Sequence, residues 1–506
     1  MRNINCGSVR SKQDQGNFRT SRFEKFNNYF MSGIHCIGMI SVIFACSFTV
    51  NAGDVNVKWY KGQLHTHSYW SDGRGFPEQA IAEYKKRNYD FLSITDHNRF
   101  AARPDEWREV FPEEGPWPPK ITETIFNNYI KYFGNNCIET KEAGGKKLVR
   151  LKTYSELKKK FEEPGKFLLL PGVEITQCLN GGNIHLHVNY INIPELIPCL
   201  EGSELIQGMN APTISKLLTA DCREVMQCAD KLNVPYLLFV NHPFWRYYDV
   251  TPDALTDNPE VRFFEICNGG AECAPLPEAA DYPDKFWDVV NAFRALKGQN
   301  LLYGIASDDA HFYDAARMDL CSGVGDAWIM VRCNTLAPES LFRAMRKGDF
   351  YATCGILLDD LSFNPADRTL HLKVKAEKGL VYRIHFITTK KNFDQSVKRV
   401  TIDKEGLKRI VPLYSKSIGR IAKTVIGTDA SYKLADDDLY VRAKIESDRP
   451  CKFKAHFHPD VESAWTQPYK NTLCDSIDAV GDGNTRIDSF GSGDAADAKR
   501  VNSLRH

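Results

Sequence analysis

Two histidine- and aspartate-bearing motifs near the amino-terminal third of the chain can do metal chemistry. His65 and His67 follow an apolar strand-like run, and residues two apart in an extended segment point the same way. Asp72 follows at a Ser-Asp-Gly turn, and His97 ends the apolar run 89–95. Imidazole and carboxylate are ligands that suit Zn, Mn or Fe. The spacing therefore predicts a metal site where two neighbouring strands end.

The same arrangement recurs further along the chain, because polar residues follow or end several more apolar runs. These residues are Glu174 in FLLLPGVEIT, His185 and His187 in IHLHVNYINI, His242 in the Asn-His-Pro that follows 234–240, and Asp308, Asp309 and His311 after NLLYGIA. His185 and His187 share a face of their strand, so either can serve as a ligand. Asp308 and Asp309 are likewise both open as ligands.

Composition places the chain among ordinary globular proteins. Its 506 residues are 43% hydrophobic and 25% charged, which is enough for two or three cores. A net charge of +1 gives no electrostatic footprint for nucleic acid. The 15 cysteines form no CxxC pair, so neither a zinc ribbon nor a thioredoxin-type motif is indicated, and no disulfide pairing is predicted.

The amino-terminal 52 residues read as a signal peptide or extension. Ile34–Val50 is a largely apolar stretch, and Val50-Asn51-Ala52 supplies the small residues that a signal peptidase needs. We therefore expect export to the periplasm or outside the cell, with no membrane association after removal of this segment. The alternative is an uncleaved membrane anchor formed by residues 34–50.

From residue 57 onward, strand-like and helix-like patterns alternate, with polar residues at the carboxyl ends of the strands. This pattern predicts an α/β fold, a β/α barrel with its site in the loops after the strands. An open doubly wound sheet is the alternative, weakened because no glycine-rich phosphate loop follows the first strand. We expect a catalytic domain over 53–358 with an insertion at 99–166, a small antiparallel, β-sandwich-like domain over 359–470, and a disordered tail over 471–506.

Seven motifs in order resemble the polymerase and histidinol phosphatase (PHP) superfamily. They are HTH, DG, TDHN, GVE, a histidine about a dozen residues later, NHP and DAH, and they span roughly residues 58–355. The closing LFRAMRKGDFYAT is also similar to the end of the family's domain. The overall layout looks most like the branch that contains carbaryl-hydrolase-type metallohydrolases.

The resemblance implies a distorted seven-stranded β/α barrel that binds two or three divalent metal ions (Zn, Mn or Fe). The implied first site is His65, His67, Glu174 and Asp309; the second is Glu174, His187 and His242; the third is Asp72, His97 and His311. Glu174 would bridge. The family patterns favour His187 over His185 and Asp309 over Asp308. Asp72 stands where many members have a third histidine, a departure that other branches share.

The implied activity is hydrolysis of a small-molecule ester by a metal-activated hydroxide, most simply by a phosphoesterase. Catalysis would use Glu174, with His242 or His311 protonating the leaving group. Arg99, Arg103 and Arg246 follow the TDHN and NHP motifs and are candidates for binding phosphate. A carboxylic or carbamic ester or amide hydrolase using the same site is the alternative, and a non-catalytic ligand-binding module is a third possibility. The oligomeric state is not predicted.

Overall fold

A computed structural model describes residues 57–113, 119–179, 184–199, 213–243, 249–270, 283–314, 322–404, 407–452 and 459–471. The expected signal segment, the expected disordered tail from residue 472 and Arg246 lie outside these ranges. Among the helices of the described ranges, none combines the length and apolar character needed to cross a membrane.

The strands, numbered in chain order, are β1 (Lys58–Gln63), β2 (Phe91–Ile94), β3 (Trp107–Phe111), β4 (Ile121–Thr122), β5 (Thr140–Ala143), β6 (Lys146–Arg150), β7 (Leu168–Leu179), β8 (Ile184–Ile191), β9 (Leu237–Val240), β10 (Phe263–Asn268), β11 (Tyr303–Ser307), β12 (Trp328–Cys333), β13 (Phe350–Thr353), β14 (Leu358–Asn364), β15 (Thr369–Val374), β16 (Tyr382–Lys390), β17 (Val397–Lys404), β18 (Leu407–Tyr414), β19 (Arg420–Ile426), β20 (Asp429–Lys433), β21 (Asp438–Pro450), β22 (Val461–Thr466) and β23 (Tyr469–Lys470). The helices are α1 (Pro77–Lys86), α2 (Glu123–Phe133), α3 (Tyr154–Phe161), α4 (Ile214–Leu232), α5 (Pro252–Thr256), α6 (Asp284–Leu296) and α7 (Pro338–Lys347).

One large sheet of 14 strands organises the molecule. Its order is β11-β10-β9-β8-β7-β2-β1-β12-β13-β22-β21-β16-β19, with β23 added beside β21. The pairs β1/β2, β2/β7, β9/β10 and β10/β11 are parallel, as expected for strands connected through helices. The pair β7/β8 is antiparallel, because only four residues separate these two strands in sequence. The parallel pairs bring several carboxyl ends to one edge of the sheet, and the hairpin places the amino-terminal half of β8, which carries His187, beside the carboxyl-terminal half of β7.

The helices follow the sequence pattern closely. The amino-terminal cap of α4 is the Thr213 hydroxyl, which accepts from the Lys216 amide. The buried face of α4 includes Leu218, Val225 and Ala229, apolar residues that recur at helical spacing in the sequence. The helices that begin at Pro77, Asp284 and Pro338 are also present.

The insertion at 99–166 forms its own small sheet, of order β4-β3-β6-β5, with α2 and α3 beside it. This unit packs on the segment that follows His67, since Tyr69, Trp70 and Phe76 share a buried cluster with Val110 and Tyr129. The Trp70 indole donates to the Lys152 carbonyl at 3.0 Å. The insertion thereby holds the turn that carries Asp72.

Among the carboxyl-terminal strands, β16, β19, β21, β22 and β23 continue the large sheet, whereas β14, β15 and β20 form a separate three-stranded sheet and β17 and β18 a two-stranded one. β13 pairs with β12 on one side and with β22 on the other, and β22 leads to β21, β16 and β19. The expected boundary between residues 358 and 359 therefore does not interrupt the sheet. The general prediction of an α/β fold is confirmed, since the chain combines helices with one large sheet. The strand pairing does not by itself show a closed seven-stranded barrel or an independent small β domain.

A buried group of charges joins α6 to β21, and we call Asp284, Asp288, Tyr440, Arg442 and Lys444 the joint cluster. The Arg442 side chain is fully buried and forms two hydrogen bonds to the Asp288 carboxylate, at 2.8 and 2.6 Å. Its third nitrogen lies 2.9 Å from Asp284, and the Tyr440 hydroxyl donates to Asp288 at 2.8 Å. Such a fork-on-fork pair fixes geometry as well as charge.

Candidate metal centre

The two histidines of the HTH motif lie at the carboxyl end of β1. Both are fully buried, and their Nε2 atoms are 3.2 Å apart. Thr66 between them faces the opposite way, where its hydroxyl shares a hydrogen bond of 2.7 Å with the Tyr313 hydroxyl. The His67 amide donates to the Ala310 carbonyl at 2.9 Å, which ties this segment to the one that carries Asp309. The alternation read from the sequence therefore places both imidazoles at one point.

Glu174 lies within 3.6 Å of five imidazoles, more than any other carboxylate in the described part of the chain. Its Oε2 lies 3.2 Å from Nε2 of both His65 and His67 and 3.1 Å from Nδ1 of His97. Its Oε1 lies 2.8 Å from Nδ1 of His187. Burial alone would raise its pKa, but the charges of His97, His65 and His187 hold the pKa well below its ordinary value. The Glu174 carboxylate is therefore ionised at the centre of the site.

Asp309, not Asp308, faces this centre. The Asp309 Oδ1 lies 3.0 Å from His67 Nε2 and 3.3 Å from His65 Nε2. Asp309 has φ = +49°, a conformation that aspartate tolerates better than most residues. Asp308 points away from the cluster. Its carboxylate accepts hydrogen bonds from the Tyr84 hydroxyl and from three successive backbone amides, 325–327. The geometry agrees with the preference for Asp309.

A second set of side chains surrounds the other nitrogen of His67. Its Nδ1 lies 3.6 Å from Asp72 Oδ1; His311 Nε2 is 3.4 Å from the same oxygen, and His97 Nε2 is 3.5 Å from Asp72 Oδ2. The ligand atoms of His67, Asp72, His97 and His311 all lie within 4.8 Å of one another. Asp72, His97 and His311 are the three residues that the resemblance assigned together.

His187 and His242 occupy different positions around Glu174. His187 forms a tight group with Glu174 and His97, all of whose ligand atoms lie within 4.8 Å of one another. His242 Nε2 is 3.6 Å from Glu174 Oε1, and its ring centroid is 4.9 Å from that of His187. His185 lies outward of His187, with its Nδ1 3.2 Å from the Cys178 sulfur. The structure thus brings Glu174, His187 and His242 together, as expected. The His97 imidazole lies nearer to the Glu174 carboxylate than the His242 imidazole does, at 3.1 Å against 3.6 Å.

The imidazole nitrogens and carboxylate oxygens of the cluster are suited to bind divalent cations. Their lone pairs face one another, and there are too few protons to form a hydrogen bond between every pair. His65 Nδ1 is 2.7 Å from Glu265, so in a neutral ring Nε2 is the unprotonated nitrogen, and it faces the oxygens of Glu174 and Asp309. His67 Nδ1 is buried and has no hydrogen-bond partner among the described residues. A buried polar atom left in this state is costly unless a cation completes it. Imidazole and carboxylate donors without thiolate suit Zn, Mn or Fe.

The balance of charge in the cluster also supports the binding of divalent cations. Burial opposes protonation of His65, yet the carboxylates of Asp309, Glu265 and Glu174 raise its pKa well above the ordinary value. Burial likewise opposes protonation of His311, and Asp72 then raises its pKa to about 9. In the protein alone, protons occupy positions where cations can bind, so metal binding must release protons.

Several residues that support the ligands were not identified from the sequence. Glu265 accepts from the His242 amide and from Asn268 Nδ2, both at 2.7 Å, as well as contacting His65. Asn241 Nδ2 donates to Glu174 Oε1 at 2.8 Å. Asp96 accepts from the amides and hydroxyls of Ser68 and Ser71, which shapes the turn before Asp72. A glutamate inside the apolar run VRFFEIC was a usable signal for Glu265, since such a residue is buried only with partners.

The arginines proposed to bind phosphate are not joined to the cluster in the described residues. Arg103 has a side chain that is 62% exposed and lies 3.6 Å from both Asp105 and Glu106. Arg99 is exposed and lines a small cavity of about 20 Å³ that Asp96 also lines. Neither makes a hydrogen bond or ion pair with the histidines or with Glu174 in this part of the chain.

Comparison with known proteins gives limited similarity. No protein-family model matches the chain, and no curated protein matches its sequence. Among solved structures, one similar chain is a two-domain protein from Bacteroides vulgatus that contains a predicted PHP-like metal-dependent phosphoesterase (TM-score 0.33, 14% identity, covering 82% of this chain and 95% of that one). Another, from Bifidobacterium adolescentis, is also described by prediction as a metal-dependent phosphoesterase (TM-score 0.26, 12% identity, covering 50% and 88%). The function of this chain is therefore argued from its own site geometry.

Proposed function

We propose that this chain is a metal-dependent phosphoesterase that hydrolyses a small phosphate ester at a site for two or three divalent cations, Zn, Mn or Fe. The observation that carries the proposal is the Glu174 carboxylate, whose two oxygens contact imidazoles on both sides. A carboxylate in that position can bridge adjacent cations. We also infer that the strands around this site form a distorted seven-stranded barrel of the PHP type, with the strands after residue 358 as a second domain.

The distances support three ligand sets. Asp309 and Glu174 face His65 and His67; Glu174 also faces His187, with His242 beside it; Asp72 faces His97, His311 and the Nδ1 of His67. When bound there, divalent cations supply activation of water near neutral pH and stabilise charge on the oxygens of the reacting group. His67 belongs to two of these sets through its two ring nitrogens, which supports a compact arrangement.

The protein's own groups have separable tasks. Glu265 and Asn268 orient His65 and Asp309 by hydrogen bonds at 2.7 and 3.3 Å. His311 is the more exposed of the two candidate proton donors, with 21% of its side chain accessible against 7% for His242. Because a ring nitrogen that binds a cation carries no proton, we place proton delivery to the leaving group on whichever of the two is not fully engaged as a ligand, with His311 first and His242 second.

Phosphate is favoured over a carboxylic or carbamic ester by the number of ligand sets around one centre. A phosphoryl group presents several charged oxygens to a multi-cation site, whereas a carboxylic ester presents a single carbonyl oxygen. The ester hydrolase uses the same residues, so the two readings differ in substrate and not in site. A non-catalytic module would have no need for this complete donor set.

The deciding experiment is a substrate panel with metal analysis. Protein purified without chelators is assayed for bound metals, then with aryl phosphate monoesters and diesters and with matched aryl carboxylates and carbamates. We expect bound transition metal, turnover of phosphate esters, and competitive inhibition by inorganic phosphate, because the product carries the oxygens held in the transition state. Turnover of carboxylates or carbamates alone, indifferent to millimolar phosphate, would assign the ester hydrolase instead. Absence of metal and of activation by added Mn or Zn would contradict both.

Export remains part of the proposal. We propose that residues 1–52 are removed and that the mature chain works outside the cytoplasm. Amino-terminal sequencing of protein recovered from the native cell should begin at about Gly53; a chain that retains residues 34–50 and sediments with membranes would indicate an anchor.

A further inference from the structure

His97 presents its two ring nitrogens to two different groups of ligands. Its Nε2 lies 3.5 Å from Asp72 Oδ2, in the group that includes His311, and its Nδ1 lies 3.1 Å from Glu174 Oε2, in the group that includes His187. A neutral imidazole has a free lone pair on only one of its two nitrogens. The group to which His97 belongs therefore depends on which nitrogen keeps the proton.

The hydroxyl of Thr176 contacts one of these two nitrogens. Thr176 Oγ1 lies 2.5 Å from His97 Nδ1, which is closer than the Glu174 oxygen. Thr176 lies in β7 two residues after Glu174, so the two side chains share the face of the strand that carries the ligand cluster, and Thr176 is directly opposite His187 in β8. A hydroxyl oxygen can accept the Nδ1 proton, and the lone pair of the ring is then on Nε2.

Asn98, the last residue of the TDHN motif, holds His97 and Thr176 side by side. Its side-chain amide donates to the Thr176 carbonyl at 2.8 Å and accepts from the Thr176 amide at 2.9 Å, and its backbone amide donates to the Glu174 carbonyl at 2.8 Å. The His67 ring covers one face of the His97 ring, with centroids 4.4 Å apart. Because these contacts restrict the His97 ring, the fold determines which nitrogen faces Thr176.

We propose that Thr176 is a positioning residue that assigns His97 to the ligand group of Asp72 and His311, with Nε2 as the ligand atom and the Nδ1 proton donated to the Thr176 hydroxyl. This inference rests on the proposed function, because it requires divalent cations at the cluster. A hydrogen bond from the second ring nitrogen fixes the tautomer and the orientation of an imidazole ligand. Glu174 then keeps both of its oxygens for the remaining imidazoles.

The test compares Thr176→Val, which removes the hydroxyl and keeps the branched shape, with Thr176→Ser, which keeps the hydroxyl. The full chain is freed of metal and titrated with Zn²⁺ against a chelator of known affinity, and bound zinc is counted by elemental analysis. We expect Thr176→Val to weaken one of the bound zinc ions by roughly 10- to 100-fold and to leave the others unchanged. Thr176→Ser should bind zinc as the parent does. Melting of the metal-free proteins measures any structural effect separately.

Thr424→Val is the matched control, because the Thr424 hydroxyl also contacts a histidine nitrogen, His385 Nδ1 at 2.9 Å, in the pair β16/β19 at the end of the large sheet. Its zinc affinities should equal those of the parent. Anomalous diffraction from zinc-loaded parent crystals should place zinc beside His97 Nε2. Zinc beside Nδ1, or the same zinc affinities in Thr176→Val as in the parent, would overturn the role of Thr176. A parent that binds no zinc would instead contradict the proposed function itself.

Discussion

Two buried polar groups in this protein, the ligand cluster around Glu174 and the joint cluster around Arg442, differ in the source of the positive charge that faces their carboxylates. In the joint cluster, each carboxylate meets cations or donors that the chain itself supplies: Asp288 has Arg442 and Tyr440, and Asp284 has Arg442 and Lys444. Around Glu174 the potential cations are imidazoles, which carry charge only when protonated. The negative charges of the joint cluster are balanced by permanent cations of the chain. Those of the ligand cluster are balanced only when protons or metal ions are bound.

The difference shows how a buried charge can be assigned to structure or to function. A self-sufficient ion pair fixes geometry, and breaking it costs stability because one charge is left unpaired. A cluster of titratable donors facing one another is poor for stability on its own, so its presence indicates a ligand. The first kind should respond to mutation through folding, and the second through binding and rate.

The largest expected effect is on rate, at the bridging carboxylate. Glu174→Gln should lower phosphoesterase turnover by about four orders of magnitude, since it removes a charge shared by the ligand sets, while the melting curve of the folded chain persists. Steady-state kinetics and metal analysis measure this. Glu78→Gln is the matched control, because Glu78 is equally buried but bonds Tyr129 and Lys152. A globally unfolded Glu174→Gln protein would mean that Glu174 belongs with the structural group.

The next effect is on stability, at the joint cluster. Arg442→Ala should lower the free energy of unfolding by about 3–5 kcal/mol, because Asp288 then remains buried without its guanidinium. Urea unfolding measures it, and metal content per folded chain should not change. Lys231→Ala removes an exposed pair with Glu195 (side chains 70% and 45% exposed) and should cost less than about 1 kcal/mol. If the two variants lost the same free energy of unfolding, the Arg442 ion pair would be no more important for stability than an exposed one.

Glu265 shares features of both groups, because it is a buried carboxylate that affects metal binding indirectly, by orienting the ligand His65. Glu265→Gln should weaken metal binding by roughly 10- to 100-fold, because it loses the charged hydrogen bond that orients His65. Competition with a chelator of known affinity gives the change, and unfolding of the metal-free protein gives the structural part. An unchanged metal affinity with a large loss of stability would place Glu265 with the joint cluster.

The smallest effect concerns a buried carboxyl with no cation at all. Burial raises the pKa of Asp221 to about 8, and its one hydrogen bond is from Gln177 at 2.6 Å. The folded state holds a proton that the unfolded chain releases near pH 4, so this group's contribution to stability falls between about pH 4 and pH 8. Asp221→Asn should therefore be more stable than the parent at pH 8 by about 1–2 kcal/mol, with a smaller difference at pH 5. Parallel stability curves for parent and variant in urea would contradict this.

Sequence patterns identified the ligand residues because each is a polar residue in or just after an apolar strand-like run. His65 and Asp309 come just after their strands, whereas Glu174 lies within β7; all three have a ligand atom within 3.2 Å of His67 Nε2. Glu265 and Asn241 were missed as supporting residues, because their role depends on which strands are adjacent, and strand order is not written in local periodicity. Arg103, a candidate for binding phosphate, lies away from the cluster for a similar reason. Proximity in sequence to TDHN did not bring its side chain to the cluster, since nearby Asp105 and Glu106 pair with it.

The continuity of the sheet was the least predictable feature, since the pattern after residue 358 looks like a new domain. The alternating segment YRIHFITTK predicts a strand correctly, as β16, but does not reveal that this strand pairs with β21 and β19 of the large sheet. The pairing of β13 with β22 depends on contacts far apart in sequence.

That pairing governs how the protein can be made on a ribosome. β13 ends at Thr353, and β22, its partner, begins only at Val461. Gln467, which donates to and accepts from the backbone of Gly304 in β11, comes later still. During synthesis, the first part of the sheet must wait with an open edge, a state that is prone to association with other chains. The final strands cover the open edge of the sheet that carries the candidate metal centre, so a chain truncated before residue 461 would keep that edge unprotected.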